Sequence, residues 1–227
     1  MRALYFLKID YILTRKQMYI VPLFFVLALV TGKSVSTENM SLLVTCSYML
    51  FVSTIFSTAP FGYCVGKNRG FLLLFPATVK DRVAGRFLYG ISFVALLALL
   101  CGVVVGVYVM LGVEIPLWTL GAGLCELAVG IVITTLEILV FYLFGEGKEN
   151  WQYLSNIVRV APGMAMFFAA SYLIDDAQAA VYGTGMDLAV MTGRMMQAGA
   201  LAVAAALLLT VAAAAVCVKV IEKRDYA

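Results

Sequence analysis

The chain has 227 residues, of which 63% are apolar and 13% charged, and its mean hydropathy is +1.00. A soluble domain is about one-quarter charged, so this composition excludes a soluble globular protein and indicates an integral membrane protein. The formal net charge of +3 is too small to predict a nucleic-acid partner. Histidine is absent, which removes the commonest general base and metal ligand.

The N-terminal residues 1–17 mix four cations with eight large aliphatic or aromatic side chains. This segment is too charged to cross a membrane and too apolar to float free in water. We therefore expect an interfacial helix that lies along the inner leaflet.

The apolar runs that follow are about 20 residues long and lack strict alternation, which favours membrane helices over barrel strands. The sequence predicts an all-α integral membrane protein, a single transmembrane domain over residues 1–227 with six spans. The predicted spans are residues 18–31, 39–65, 87–111, 117–144, 153–174 and 195–220.

Lysine and arginine are distributed very unevenly between the two sides that these spans define. Fourteen of the 16 basic residues fall on one side, and the opposite side holds only Lys33 and Arg194. The positive-inside rule then predicts a multi-pass protein with both termini and residues 66–86 in the cytoplasm.

Residues 66–86 form the longest connector on that side. They carry five cations and the single acid Asp81, yet their centre is the apolar run Phe71–Phe75. Such a segment is typical of a docking surface for a partner protein, and anchoring on anionic lipid is the competing interpretation. Pro76 should end the short helix formed by that apolar run. Thr78 and Asp81 form a T-x-x-D cap, which should begin a second helix that continues into the third span.

Two carboxylates lie inside the fourth predicted span. Glu126 and Glu137 are eleven residues apart, so they project from nearly the same face of a helix, about 16 Å apart. Ionisable groups at membrane depth usually face a cavity or a partner. One interpretation is an acidic stripe along a translocation path; the other is a structural pair between Glu137 and Arg159 of the fifth span. No partner for Glu126 is evident from the sequence.

Small and special residues suggest where the helices pack and bend. Gly102 and Gly106 form GxxxG in the third span, and Ala198, Ala202 and Ala206 repeat the spacing in the sixth. Intramolecular packing is the expected use of both patterns, and a dimer seam is the alternative. The five cysteines lie in or beside apolar runs without metal-ligand spacing and are expected to be buried thiols: Cys46, Cys64, Cys101, Cys125 and Cys217.

Several enzyme motifs are missing. The sequence contains no GxxxxGKS/T phosphate loop, no HExxH and no GxSxG. We therefore expect no catalytic residues, no metal site and no cofactor held by this chain, and any ATP-driven work must draw on another protein.

The layout resembles the permease subunits of ABC-2 type (type II) exporters, and within them the small six-span branch that exports phenol-soluble modulin peptides. The matching features are the amphipathic lead-in with Asp10, six spans, the basic loop with its Leu74-Phe75-Pro76 corner, Arg86 at the start of the third span and the charged tail after residue 221.

The resemblance implies a coupling helix seated on a separately encoded ATP-binding subunit, which would hold the ATP and Mg²⁺. It also implies a place in the bacterial plasma membrane, a complex of two permeases with two ATPases, and re-entrant external helices within residues 175–194. The implied coupling helix comprises Lys67, Asn68, Arg69, Phe71, Leu72, Leu73, Leu74 and Phe75, supported by Pro76, Thr78, Lys80, Asp81 and Arg82.

The leading hypothesis is thus an exporter subunit for amphipathic or antimicrobial peptides, with Glu126, Glu137 and Arg159 as candidates for the translocation path. Lipids or drugs are alternative cargoes. A non-transporting membrane scaffold or sensor subunit is the competing class, because it would share the spans without needing a docking helix.

Overall fold

The computed structural model describes residues 2–19, 21–31, 46–64 except 48, 51, 53 and 58, 78–115, 117–145, 157–160 except 159, and 188–225. These residues are almost entirely helical and contain no strand, as the all-α prediction requires. The predicted docking helix at 67–75, Pro76, Arg159 and most of the fifth span and its external connector lie outside the described residues.

Five α-helices organise the described part of the chain. They are α1 (Arg2–Met18), α2 (Val21–Thr31), α3 (Val79–Met110), α4 (Trp118–Val140) and α5 (Leu188–Asp225). A helical segment of residues 46–57 leads into a 3₁₀ turn at Ala59–Cys64, and α4 continues into a π-helical turn at Phe141–Gly145.

Three helices are long and apolar enough to cross a membrane: α3, α4 with its continuation to Phe144, and α5 over 189–223. They coincide with the third, fourth and sixth predicted spans, and the total of six spans stays a prediction. The chain is therefore a helical protein of membrane-spanning character.

Helix α4 packs along α5 at a close approach that glycine permits. A Cβ at Gly121 would lie 2.6 Å from the backbone of Met195, and one at Gly199 would lie 2.6 Å from the Leu124 Cβ. Further along both helices, the Thr135 and Thr210 hydroxyls are hydrogen-bonded at 2.8 Å. The residue numbers of the contacting residues increase together along both helices, so α4 and α5 run parallel.

Helix α1 lies against the first turns of α3 in the same manner. Phe6, Asp10 and Thr14 recur every four residues and are all buried, which places them in one row on one face. Phe6 meets Gly85, and Thr14 meets Tyr89 one turn later. These two helices therefore also run parallel.

The small-residue patterns have different outcomes. Ala206 is buried in a cluster with α3 and α4, and Ala202 packs against that cluster, so the expected intramolecular packing is confirmed there. At Gly102 and Gly106 no described atom lies within 4 Å of an added Cβ. In the described residues, the GxxxG of α3 is not a packing site, because the neighbouring helices cover another face of α3.

Candidate coupling junction

Helix α3 begins at a side-chain cap. The Thr78 backbone is extended, its hydroxyl oxygen accepts a hydrogen bond from the Asp81 backbone N–H at 3.2 Å, and the hydroxyl donates to Asp81 Oδ2 at 2.7 Å. The predicted T-x-x-D cap is confirmed. It fixes where the connector of residues 65–77 ends and the long helix starts.

A buried ion pair joins α1 to α3 two turns further on. Arg86 Nη1 lies 3.2 Å from Asp10 Oδ1, and the two side chains are only 5% and 0% exposed. Burial raises the pKa of the Asp10 carboxyl to about 6, although the Arg86 guanidinium acts in the opposite direction. The free-energy cost of removing the Asp10 carboxylate from water thus exceeds its attraction to Arg86. The pair therefore determines how α1 and α3 meet more than it stabilises the fold.

Phe61 brings the other end of the connector to the same place. The Arg86 guanidinium carbon lies 5.1 Å from the centroid of the Phe61 ring, and Phe61 is 1% exposed. This is a cation–π contact removed from water. Since Phe61 precedes residues 65–77 and Arg86 follows them, this contact joins the described parts of the chain on either side of that stretch. We name Asp10, Phe61 and Arg86 the Arg86 junction.

Hydroxyl groups extend the contact between α1 and α3 beyond the ion pair. Thr14 donates to the Asp10 carbonyl at 2.8 Å and is hydrogen-bonded to the Tyr89 hydroxyl at 2.9 Å. Tyr11 is hydrogen-bonded to Ser92 at 2.9 Å, and its ring meets the Tyr89 ring edge-on at 5.0 Å. The ion pair and these hydrogen bonds lie at three levels along the two helices. Together they fix both the rotation of α1 about its own axis and its position along α3.

The junction also contacts the end of α4. The Phe61 ring lies 4.0 Å from that of Phe141 and meets Tyr142 edge-on at 5.9 Å. Both partners belong to the π-helical turn, a conformation that recurs at functional sites. The same buried cluster includes Cys217 and Ile221 of α5. The Arg86 junction therefore joins α1 to α3 and also packs against α4 and α5.

Glu126 lies well away from this junction along α4. It is 5% exposed, and the Ser47 hydroxyl donates to its Oε1 at 2.5 Å. The other oxygen, Oε2, has no hydrogen-bond partner among the described residues. The sequence offered no partner for Glu126, and the structure supplies Ser47 from the segment 46–57.

Glu137 is fully buried. Its predicted alternative partner, Arg159, lies outside the described residues, so the pairing of these two stays a prediction. Among the residues predicted to support the docking loop, Thr78, Lys80, Asp81 and Arg82 occupy the first turn of α3, and Lys80 is exposed there.

Sequence reasoning singled out Asp10 and Arg86 separately and missed their contact. It also missed Phe61 altogether. A signal for the first was present, since Asp10 is the one acid in α1 and lies between Phe6 and Thr14 on a single helix face. No comparable local signal marks Phe61, because its role depends on residues distant in sequence.

Comparison with known proteins adds no relative: no protein-family model, no curated protein and no solved structure matches the chain.

Proposed function

We propose that this chain is the membrane permease subunit of an ATP-driven ABC exporter, energised by a separately encoded ATPase. The observation that carries the proposal is the Arg86 junction. Phe61, which precedes the basic and apolar docking sequence of residues 65–77, contacts Arg86, which follows it, and Arg86 pairs with Asp10. A partner bound to that docking sequence would therefore act on a packed part of the fold.

The Arg86 junction would pass a force applied by the ATPase to several helices. Arg86 belongs to α3, Asp10 to α1, and Phe61 packs on the turn that ends α4. A displacement of residues 65–77 would therefore act on all three elements at once, through the packed side chains of the Arg86 junction. Coupling between two proteins requires a packed element of this kind, whose position both of them bias.

The helix directions support the same topology. Helices α1 and α3 run parallel, so the N-terminal segment and the start of α3 belong to the same side of the membrane. Helices α4 and α5 are also parallel, as expected for the fourth and sixth spans of a six-span chain. The excess of lysine and arginine in the N-terminal segment and in residues 66–86 marks that side as cytoplasmic.

The cargo that fits best is an amphipathic peptide with a net positive charge. The spans are rich in aliphatic and aromatic residues, and Glu126 holds a carboxylate oxygen that no described residue satisfies. A buried carboxylate in an apolar surround suits a cationic group on a mostly apolar molecule. On this proposal Glu126 belongs to the translocation path, and a second copy of the chain completes it.

The test is co-purification of the full chain with an ATPase of the ABC type encoded in the neighbouring reading frame. The double variant Phe71→Asp with Leu73→Asp should insert normally into the membrane and lose the ATPase. The matched control is Leu111→Asp with Leu117→Asp, because these exposed leucines lie beyond the other end of α3; it should keep the ATPase. Retention by both variants would exclude residues 71–73 from the interface, and retention by neither would point to general misfolding.

ATP hydrolysis provides the second readout. The purified chain alone should hydrolyse no ATP, and the complex should hydrolyse it. If the chain assembles with no ATPase in its native membrane, the scaffold or sensor class replaces this proposal.

A further inference from the structure

Three sulfur-containing side chains, Cys46, Met49 and Cys101, lie together in the buried core between the segment 46–57 and α3. Cys101 Sγ lies 3.9 Å from Met49 Sδ and 3.9 Å from the carbonyl oxygen of Cys46. The Cys46 side chain belongs to the same buried cluster as Met49 and Cys101. Cys46 and Met49 are three residues apart on one helical segment, so both project toward α3. All three side chains are at least nine-tenths buried.

We propose that Cys46, Met49 and Cys101 form a binding site for a soft monovalent metal ion, with Cu(I) as its preferred occupant. The proposal does not depend on the exporter function, because it concerns only the residues of this core.

The separation of the Cys101 and Met49 sulfur atoms fits three-coordinate ligation. Metal–sulfur bonds of about 2.3 Å, arranged at the corners of a triangle around the ion, place neighbouring sulfur atoms about 4 Å apart. The Cys101–Met49 separation is 3.9 Å. Cys101 and Met49 therefore need little rearrangement to bind one ion, and Cys46 of the same cluster would supply the third sulfur.

The ligand types select the metal. Thiolate and thioether sulfur are soft donors that favour Cu(I), whereas structural zinc sites use four ligands. Among the described residues, no three His, Cys, Asp or Glu side chains form a metal-binding group. The third ligand here is a methionine, which is a good donor for Cu(I) and a poor one for harder ions.

Charge favours a monovalent ion in this environment. The neighbours include Phe93, Leu97 and Val104, all buried and apolar, and a net charge is costly there. If one cysteine binds as a thiolate and releases its proton, while the other thiol and the thioether bind as neutral donors, a monovalent ion leaves the site uncharged. The binding step thus exchanges one proton for one Cu(I), with no change in oxidation state.

The ion would join two elements of the fold. Cys46 and Met49 belong to the segment 46–57, and Cys101 lies on α3, four turns beyond Arg86. Occupancy should therefore clamp the segment to α3 and stabilise the folded chain in proportion to metal concentration.

The experiment is anaerobic titration of the purified full chain with Cu(I), in competition with a chromophoric Cu(I) chelator. We expect one Cu(I) per chain and an ultraviolet thiolate-to-copper charge-transfer band. Cys101→Ser and Met49→Leu should each weaken binding by more than the roughly 10–100-fold that changes outside the ligand shell cause. The unfolding midpoint of the wild-type chain should rise with Cu(I), and that of Cys101→Ser should not.

The matched controls are Cys125→Ser and Cys217→Ser, since these free cysteines lie on α4 and α5. Both should bind Cu(I) as the wild type does. Because Met49→Leu conserves volume in the core, it keeps the test valid if a cysteine variant folds poorly. Equal Cu(I) affinity in the wild type and in Met49→Leu and Cys101→Ser, or loss of binding in the controls alone, would overturn the proposal.

Discussion

Removing one partner of the buried Asp10–Arg86 pair at a time should have unequal effects on stability. Asp10→Asn removes the carboxylate that lies 3.2 Å from a guanidinium only 5% exposed, and arginine cannot lose its proton. We expect a loss of about 3–5 kcal/mol in the free energy of unfolding. Arg86→Met leaves a carboxyl that can take up a proton, so at pH 5 its cost should be smaller.

The pH dependence follows from the same burial. The pKa of Asp10 rises from 3.8 to about 6 on folding, which corresponds to about 3 kcal/mol. Between these values the folded chain binds the proton that the unfolded chain has released. The free energy of unfolding should therefore fall as the pH rises through this range and level off above it. Asp10→Asn should remove this slope.

The assay is reversible unfolding of the full chain in mixed micelles, followed by tryptophan fluorescence. Lys8→Ala is the matched control, because Lys8 lies on the exposed face of the same helix, and it should change stability by less than about 0.5 kcal/mol. The double variant Asp10→Asn with Arg86→Met should be more stable than Asp10→Asn alone. If Asp10→Asn costs no more than Lys8→Ala, the pair does not hold α1 on α3 and the reasoning fails.

Three further outcomes test other parts of the account. Thr78→Ala should destabilise the first turn of α3 by about 1 kcal/mol, measured as faster amide exchange there, with Thr78→Ser close to the wild type. Gly85→Ala should weaken the contact between α1 and α3, since its Cβ would lie 2.5 Å from that of Phe6. Gly102→Ala, with no described atom within 4 Å of its Cβ, should be neutral or stabilise α3 by up to about 1 kcal/mol. Equal unfolding midpoints of these two variants would contradict the expected difference. Glu126→Gln should lower the tolerance of cells to a cationic amphipathic peptide while the complex still assembles, and unchanged tolerance would remove Glu126 from the path.

Local patterns predicted the parts of the fold that depend on neighbouring residues. The cap at Thr78 follows from a hydroxyl three residues before a carboxylate, and the structure contains it. The helical character and three long apolar helices follow from composition and run length. In each case the controlling interaction lies within one helical turn or one continuous run, so a single sequence carries the information.

The contacts that build the site could not be predicted in the same way. Ser47 meets Glu126 across 79 positions of sequence, and Phe61 meets Arg86 although residues 65–77 lie between them in the sequence. A single sequence shows that Glu126 is costly in a membrane, but it does not show which hydroxyl offsets that cost. The packing partner of Gly102 stays a prediction for a related reason, because small-residue spacing shows which faces permit close packing and not which neighbour uses them.

The central claim is that residues 67–75 dock onto an ATP-binding subunit, and photo-crosslinking in native membranes tests it most directly. A photoreactive amino acid at position 73 should crosslink to a protein that binds ATP, and the yield should change when ATP is added. The control is the same amino acid at position 208, where the leucine of α5 is 72% exposed; it should label lipid or a second copy of the chain. Crosslinks from position 73 to lipid alone would identify the segment as a membrane anchor and contradict the exporter account.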